Sequence, residues 1–81
     1  MEIKILGTGC TKCRRLERLA REVAGELGVE ATLTKVKDMA EIMAYDIIST
    51  PGLVIDEEVR AAGRIPQREE VAAWIRQAVG L

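Results

Sequence analysis

The stretch Gly7-Thr8-Gly9-Cys10-Thr11-Lys12-Cys13 decides how this chain folds, because it joins two segments with different hydrophobic periods. The apolar run 3–6 before it predicts a short, largely buried strand, whereas the apolar positions of 16–27 recur at helical spacing. The glycines therefore predict a tight turn from strand to helix, and the chain's two cysteines lie where the helix begins. A helix start favours an anion, because its first N–H groups are unpaired and it carries the positive end of the macrodipole.

The position of the cysteines at the start of a helix favours their reactivity. A cysteine at a helix start is expected to have a lowered pKa, and the thiolate is the form that reacts. The spacing Cys10-x-x-Cys13 brings the second sulfur about one helical turn further on, close enough to close a small disulfide ring. The pattern favours disulfide exchange over two small apolar core residues.

Size and composition limit the number of domains, the type of core and the possible partners. With 81 residues, the chain is expected to form a single domain over 1–81, and its two aromatic residues predict an aliphatic core. The 12 basic residues nearly balance the 13 acidic ones, which argues against a nucleic-acid partner. There is no apolar run near the roughly 20 residues of a membrane span and no signal-peptide pattern, so we expect a cytoplasmic protein with no membrane partner. In a reducing compartment, a lone Cys-x-x-Cys favours redox chemistry or metal over a structural disulfide.

The rest of the chain predicts an α/β fold in the order β-α-β-α-β-β-α. After the first strand and helix come a strand at 29–36, a short helix ending near 45, a hairpin of 53–55 with 59–62, and a final helix from 67 to 80. In the short helix, Asp38 is the expected N-cap, and Met39, Ile42 and Met43 are expected to face the core. One mixed four-stranded sheet covered by helices on both faces accommodates this order.

Three features of the sequence match a known group: Cys10-Thr11-Lys12-Cys13 after the first strand, Thr50-Pro51 before the third, and Gly63 after the fourth. Over essentially its whole length, the chain resembles the small thioredoxin/glutaredoxin-like redox-active disulfide proteins of archaea and bacteria. The resemblance implies a minimal thioredoxin-like fold and a thiol–disulfide oxidoreductase that reduces protein disulfides. It also implies a separate disulfide reductase as electron donor and no cofactor bound to this chain. We expect a monomer.

The resemblance also implies roles for individual residues. Cys10 would be the attacking thiolate, exposed at the helix tip, and Cys13 the shielded resolving thiol. Pro51 would be cis and pack beside the cysteine pair, with Thr50 offering backbone groups to an extended substrate segment. Independently of the resemblance, Lys12 between the cysteines is either a solvated lysine or, near a forming thiolate, a charge that lowers the cysteine pKa.

The chain departs from thioredoxins proper at three places. Gly9 stands where they usually have Trp before the first cysteine, and Thr11-Lys12 stand where they usually have Gly-Pro. Lys4 falls, by counting back from Cys10, at the position of their buried acid. If Lys4 pointed inward, its charge would favour the thiolate. These departures leave the redox potential and the substrate open.

The sequence also allows functions other than disulfide exchange. Two thiolates could carry a soft metal or metalloid, whereas a structural zinc site would need four ligands. A glutathione-dependent glutaredoxin is a further alternative. Lys12 stands where the third glycine of a dinucleotide loop would be, which excludes that site. A basic helix face could steer an acidic partner towards the cysteines, and it consists of Arg14, Arg15, Arg18 and Arg21.

Overall fold

The computed structural model describes residues 1–80 and contains four strands and three helices. The elements are β1 (Glu2–Leu6), α1 (Thr11–Glu26), β2 (Thr32–Val36), α2 (Met39–Met43), β3 (Gly52–Ile55), β4 (Glu58–Ala62) and α3 (Arg68–Val79). The strands form one sheet in the order β2-β1-β3-β4. The expected β-α-β-α-β-β-α order and the mixed four-stranded sheet are therefore confirmed.

One edge of the sheet collects the segments that surround the cysteines. β1 runs parallel to β2 and antiparallel to β3, so Leu6 at the end of β1 pairs with Val36 at the end of β2 and with Gly52 at the start of β3. The carboxyl ends of β1 and β2 and the start of β3 thus meet at the same edge. The cysteine stretch, residue 37 and Pro51 all lie there as a consequence of register.

The core is aliphatic and lies on both faces of the sheet. Helices α1 and α3 pack on one face, over a cluster that includes Ile3, Ile5 and Leu16. A smaller cluster lies on the other face, beneath α2, and it consists of Leu6, Val36, Ile42 and Val54. Trp74 is partly buried and packs against the larger cluster, as expected from its place on the apolar stripe of α3. The aliphatic composition of the core follows the sequence prediction.

Local capping signals account for the helix boundaries. Asp38 is the N-cap of α2, and its carboxylate accepts a hydrogen bond from the Ala40 N–H at 2.8 Å. Helix α3 begins with a reciprocal capping box between Gln67 and Glu70, and it ends at Gly80, which has a left-handed φ of 78°. These ends agree with the predicted ones.

The inward face predicted for α2 is wrong at two of its three positions. Ile42 is buried, with 2% of its surface exposed, whereas Met39 and Met43 are 56% and 64% exposed. Helix α2 has five residues, and Ile42 is the side chain that it contributes to the small cluster on this face. The prediction that the two methionines fill the core is therefore corrected, since both face solvent.

The hairpin turn is shorter than predicted. Strand β3 ends at Ile55 and β4 starts at Glu58, so Asp56 and Glu57 form a two-residue turn. Both have positive φ values, 47° and 68°, as a type I′ turn requires. Asp56 also accepts a hydrogen bond from the Glu2 N–H at 2.8 Å, which ties the hairpin to the start of β1.

Candidate functional site

Cys10 is the N-cap of α1, directly after the glycine turn. Its backbone is extended (φ −70°, ψ 169°), and its sulfur accepts a hydrogen bond from the Cys13 N–H at 3.2 Å. The first turn of α1 contains no acidic residue that would oppose a negative charge on this sulfur. The unpaired N–H groups of the helix start therefore point towards the Cys10 sulfur, which suits a thiolate.

The two sulfurs have opposite environments. Cys10 is exposed and Cys13 is buried, and both are free thiols. A hydrogen bond from the Cys13 thiol, followed by the backbone N–H of Cys13, lowers the pKa of Cys10. Burial raises the pKa of Cys13, and its hydrogen bond to Cys10 raises it further. Of the two thiols, the exposed one therefore ionises more readily.

Gly7 makes the space in which the Cys13 sulfur lies. A Cβ atom placed on Gly7 would stand 2.3 Å from Cys13 Sγ and 3.9 Å from Thr50 Cβ. Gly7 is fixed in turn by its N–H, which donates to the Val36 carbonyl at 2.9 Å. The missing side chain of Gly7 thus leaves room for the buried sulfur next to the segment that precedes β3.

The segment Thr50–Pro51 lies at the same edge of the sheet as the cysteines. Thr50 is exposed, Pro51 is buried, and the peptide bond between them is cis. The Pro51 carbonyl accepts a hydrogen bond from the Gly63 N–H at 2.9 Å, so the residue after β4 holds this segment. The structure thus brings together three of the sequence features on which the resemblance rests: the cysteine pair, Thr50-Pro51 and Gly63.

A cleft of about 260 Å³ opens beside Cys13 on the β2 side of this edge. We call it the basic cleft, because three of its lining side chains are cations, Arg14, Lys35 and Lys37, and one is a carboxylate, Glu17. Gly9 also lines it, and the carbonyl of Gly9 accepts a hydrogen bond from the Arg14 guanidinium at 3.2 Å. The cleft therefore places positive charge next to the residue that precedes Cys10.

Lys4 does not point towards the cysteines. Its ammonium donates to the Tyr45 hydroxyl at 2.8 Å and to the Glu57 carboxylate. These two partners raise the pKa of Lys4, and Lys4 lowers the pKa of Glu57. Because Lys4 does not point inward, its charge does not favour the thiolate. It instead links β1 to the hairpin turn.

Lys12 lies in the first turn of α1 with its side chain exposed. Its backbone N–H is one of the donors that lower the pKa of Cys10, after those from Cys13. The structure thus gives Lys12 a contact with Cys10 through its main chain.

Residues 1–80 form neither a metal-binding cluster nor a membrane span. No group of three or more His, Cys, Asp or Glu side chains converges there, so a soft metal would find two thiolates as its ligands, Cys10 and Cys13. No helix in this part of the chain is both long and apolar enough to cross a bilayer.

Sequence reasoning missed Gly7, Lys35, Lys37 and the partners of Lys4. Lys35 and Lys37 could have been found, because parallel pairing of the first two strands brings their carboxyl ends to one edge. The contact of Gly7 with Cys13 depends on the angle at which α1 leaves the turn, and the Lys4–Glu57 pair joins residues 53 apart. Periodicity and local motifs predict neither the Gly7–Cys13 contact nor the Lys4–Glu57 pair.

Comparison with known proteins agrees with this geometry. A family model described as a thioredoxin domain matches residues 1–76. A protein named Thioredoxin from Methanothermobacter thermautotrophicus is 42% identical over 71 residues, which cover 88% of this chain and 92% of that one. Another protein named Thioredoxin, from Methanocaldococcus jannaschii, is 38% identical over 69 residues, covering 85% of this chain and 79% of that one. The chain therefore belongs to the thioredoxin family and is a thiol–disulfide oxidoreductase.

Proposed function

We propose that this chain reduces protein disulfides with Cys10 as the attacking thiolate and Cys13 as the resolving thiol. The observation that supports these roles is the asymmetry of the pair: the sulfur with the lowered pKa is exposed, and the one with the raised pKa is buried. A substrate sulfur can approach Cys10 from solvent, whereas Cys13 is buried. The order of attack follows from this difference.

Reduction then proceeds in two exchanges. The Cys10 thiolate attacks one sulfur of the substrate disulfide, so a mixed disulfide forms and the other substrate sulfur leaves as a thiolate. Cys13 loses its proton and attacks the Cys10 sulfur, which releases the second substrate thiolate. Both substrate thiolates take up protons, one of them the proton that Cys13 loses. The substrate gains two electrons, and the chain is left with a Cys10–Cys13 disulfide.

Thr50 and Pro51 are proposed as the substrate-binding segment. They lie beside Gly7 at the sheet edge that carries the cysteines, and the exposed Thr50 leaves its backbone open to an extended chain. A substrate held there would present its disulfide to the tip of α1. Lys12 is proposed to assist, because an ammonium near a forming thiolate lowers its pKa.

Regeneration requires another protein. The oxidised pair can be reduced again by a separate disulfide reductase, since the proposed cycle uses no cofactor on this chain. A dithiol reductant also needs a reducing compartment, so we propose that the chain works in the cytoplasm, as a monomer with a single domain.

The roles of the two cysteines can be tested by reduction of insulin disulfides. The Cys10→Ser variant should lose activity, because no thiolate remains at the helix tip. The Cys13→Ser variant should accumulate a mixed disulfide that is visible by mass spectrometry. The double variant Cys10→Ser/Cys13→Ser gives the background rate of the reductant. Rapid turnover by Cys13→Ser would contradict the assignment of the resolving thiol.

A further inference from the structure

We propose that the basic cleft selects disulfides that are flanked by carboxylates, so that the preferred protein substrates carry acidic residues next to their disulfide. The inference rests on the proposed function, because it names a substrate class for the same cysteines. The cleft is lined by Gly7, Gly9 and Cys13, and Thr50, in the segment before β3, lies beside the same Gly7. A substrate bound along Thr50–Pro51 would therefore have its flanking residues at the cleft.

Two of the cations in the cleft are free to meet a substrate. The Lys37 ammonium lies 4.0 Å from the place where a Cβ on Gly9 would stand, and the Arg14 guanidinium bonds the carbonyl of that same residue. Within the part of the chain that the structure describes, neither Lys37 nor Arg14 forms a salt bridge. Both charges thus lie beside the residue before the attacking sulfur without a carboxylate partner.

The one carboxylate in the cleft is already engaged. Glu17 forms a salt bridge with Arg21 at 3.0 Å and lies 3.7 Å from the Lys35 ammonium. It therefore does not neutralise Lys37 or Arg14. The cleft holds a surplus of positive charge that a substrate carboxylate can match.

This charge is a local feature. The whole chain has a formal net charge of −1, with 13 acidic and 12 basic residues, so a basic surface at the cysteines does not follow from composition. A general polyanion binder would need basic residues in excess over a wide surface. The space of about 260 Å³ is several times what one water needs. That is enough for one acidic side chain with some of its hydration, which points to a short acidic segment.

The test uses three synthetic peptides that share one disulfide and differ in the residues beside it: Asp and Glu, Asn and Gln, or Lys. The second-order rate constant for reduction is measured for the wild-type chain at low and high salt. We expect the acidic peptide to react about three- to tenfold faster than the amide peptide at low salt. The advantage should fall towards unity near 0.5 M salt, because exposed charges are screened there.

A double variant, Lys37→Gln/Arg14→Gln, should lose the preference. The readout is the ratio of two rates on the same protein, so any change in the pKa of Cys10 cancels. Arg76→Gln serves as the matched control, since it removes one exposed cation from the last turn of α3, and it should keep the preference. Equal rates for the acidic and amide peptides, or a preference that survives in the double variant, would overturn the inference.

Oxidised glutathione provides a further arm, because it carries carboxylates on a small disulfide. If its rate depends on Lys37 and Arg14 more strongly than that of the acidic peptide, the cleft serves a small molecule and the assignment to a protein segment is wrong. The proposed function fails in a different way, namely if no peptide is reduced whatever its flanking residues.

Discussion

Replacing Gly7 by alanine tests whether the backbone at this position fixes the resolving sulfur. The new Cβ would stand 2.3 Å from Cys13 Sγ, whereas non-bonded heavy atoms prefer about 3.5–4.0 Å. Gly7 does not have the positive φ of Gly9 or Gly63, so the cost is steric and not conformational. Relief requires the Cys13 sulfur to rotate away, which breaks its hydrogen bond to Cys10.

The expected loss of stability in Gly7→Ala can be taken from the cost of overpacking a core. Forcing an extra methyl into a filled site costs about 1–3 kcal/mol, which for a domain of this size lowers the melting temperature by about 4–8 °C per kcal/mol. The same displacement should slow the second exchange, because a misplacement of about 1 Å can cost up to a hundredfold in rate. We therefore expect Gly7→Ala to be less stable in urea and to accumulate the mixed disulfide.

Two controls isolate the contact. Gly25, inside α1, has no atom within 4 Å of an added Cβ, so Gly25→Ala should stabilise the chain by about 0.5–1 kcal/mol through helix propensity. In a Cys13→Ala background the clashing sulfur is gone, and Gly7→Ala should cost less than about 0.5 kcal/mol. An equal loss of stability with and without the sulfur would refute the reasoning, as would an unchanged rate of resolution.

Two further predictions concern stability. Ile42→Ala should lower the free energy of unfolding in urea by about 2–4 kcal/mol, because the side chain is buried. Met43 is exposed, so Met43→Ala should change it by less than about 0.5 kcal/mol. Equal losses would support the inward face that the sequence predicts for α2. The Arg64 guanidinium lowers the pKa of Glu70 to about 2, and the Gln67 N–H contributes. A depressed carboxyl pKa stabilises the fold above its unfolded pKa, so Glu70→Gln should lower the urea midpoint at pH 7, and this deficit should disappear as the pH falls from about 4.5 to about 2. A deficit that persists at pH 2 would show that this ion pair is not its source.

The elements of this fold were predictable wherever the signal is local. The glycine turn before Cys10, the N-cap at Asp38 and the glycine that ends α3 each act within a few residues, and each is found where the sequence indicates it. The mixed four-stranded sheet also followed, since a β-α-β unit and a tight hairpin leave few topologies.

The parts that were not predictable depend on tertiary packing. The periodicity of α2 does not say which of Met39, Ile42 and Met43 reaches the core, and the structure buries Ile42 alone among the three. The sequence likewise gives no sign that Lys4 would reach Glu57 across the sheet. The space for the Cys13 sulfur beside Gly7 depends on how α1 packs.

The most direct test is a residue-resolved titration of the two thiols in the reduced wild-type chain. Brief alkylation with iodoacetamide at a series of pH values, followed by peptide mass spectrometry, reports the thiolate fraction of Cys10 and of Cys13 separately. We expect Cys10 to become reactive at a lower pH than an ordinary thiol and Cys13 at a higher pH. Alkylation of Cys13 first, or of both at the same pH, would contradict the assignment of the attacking sulfur.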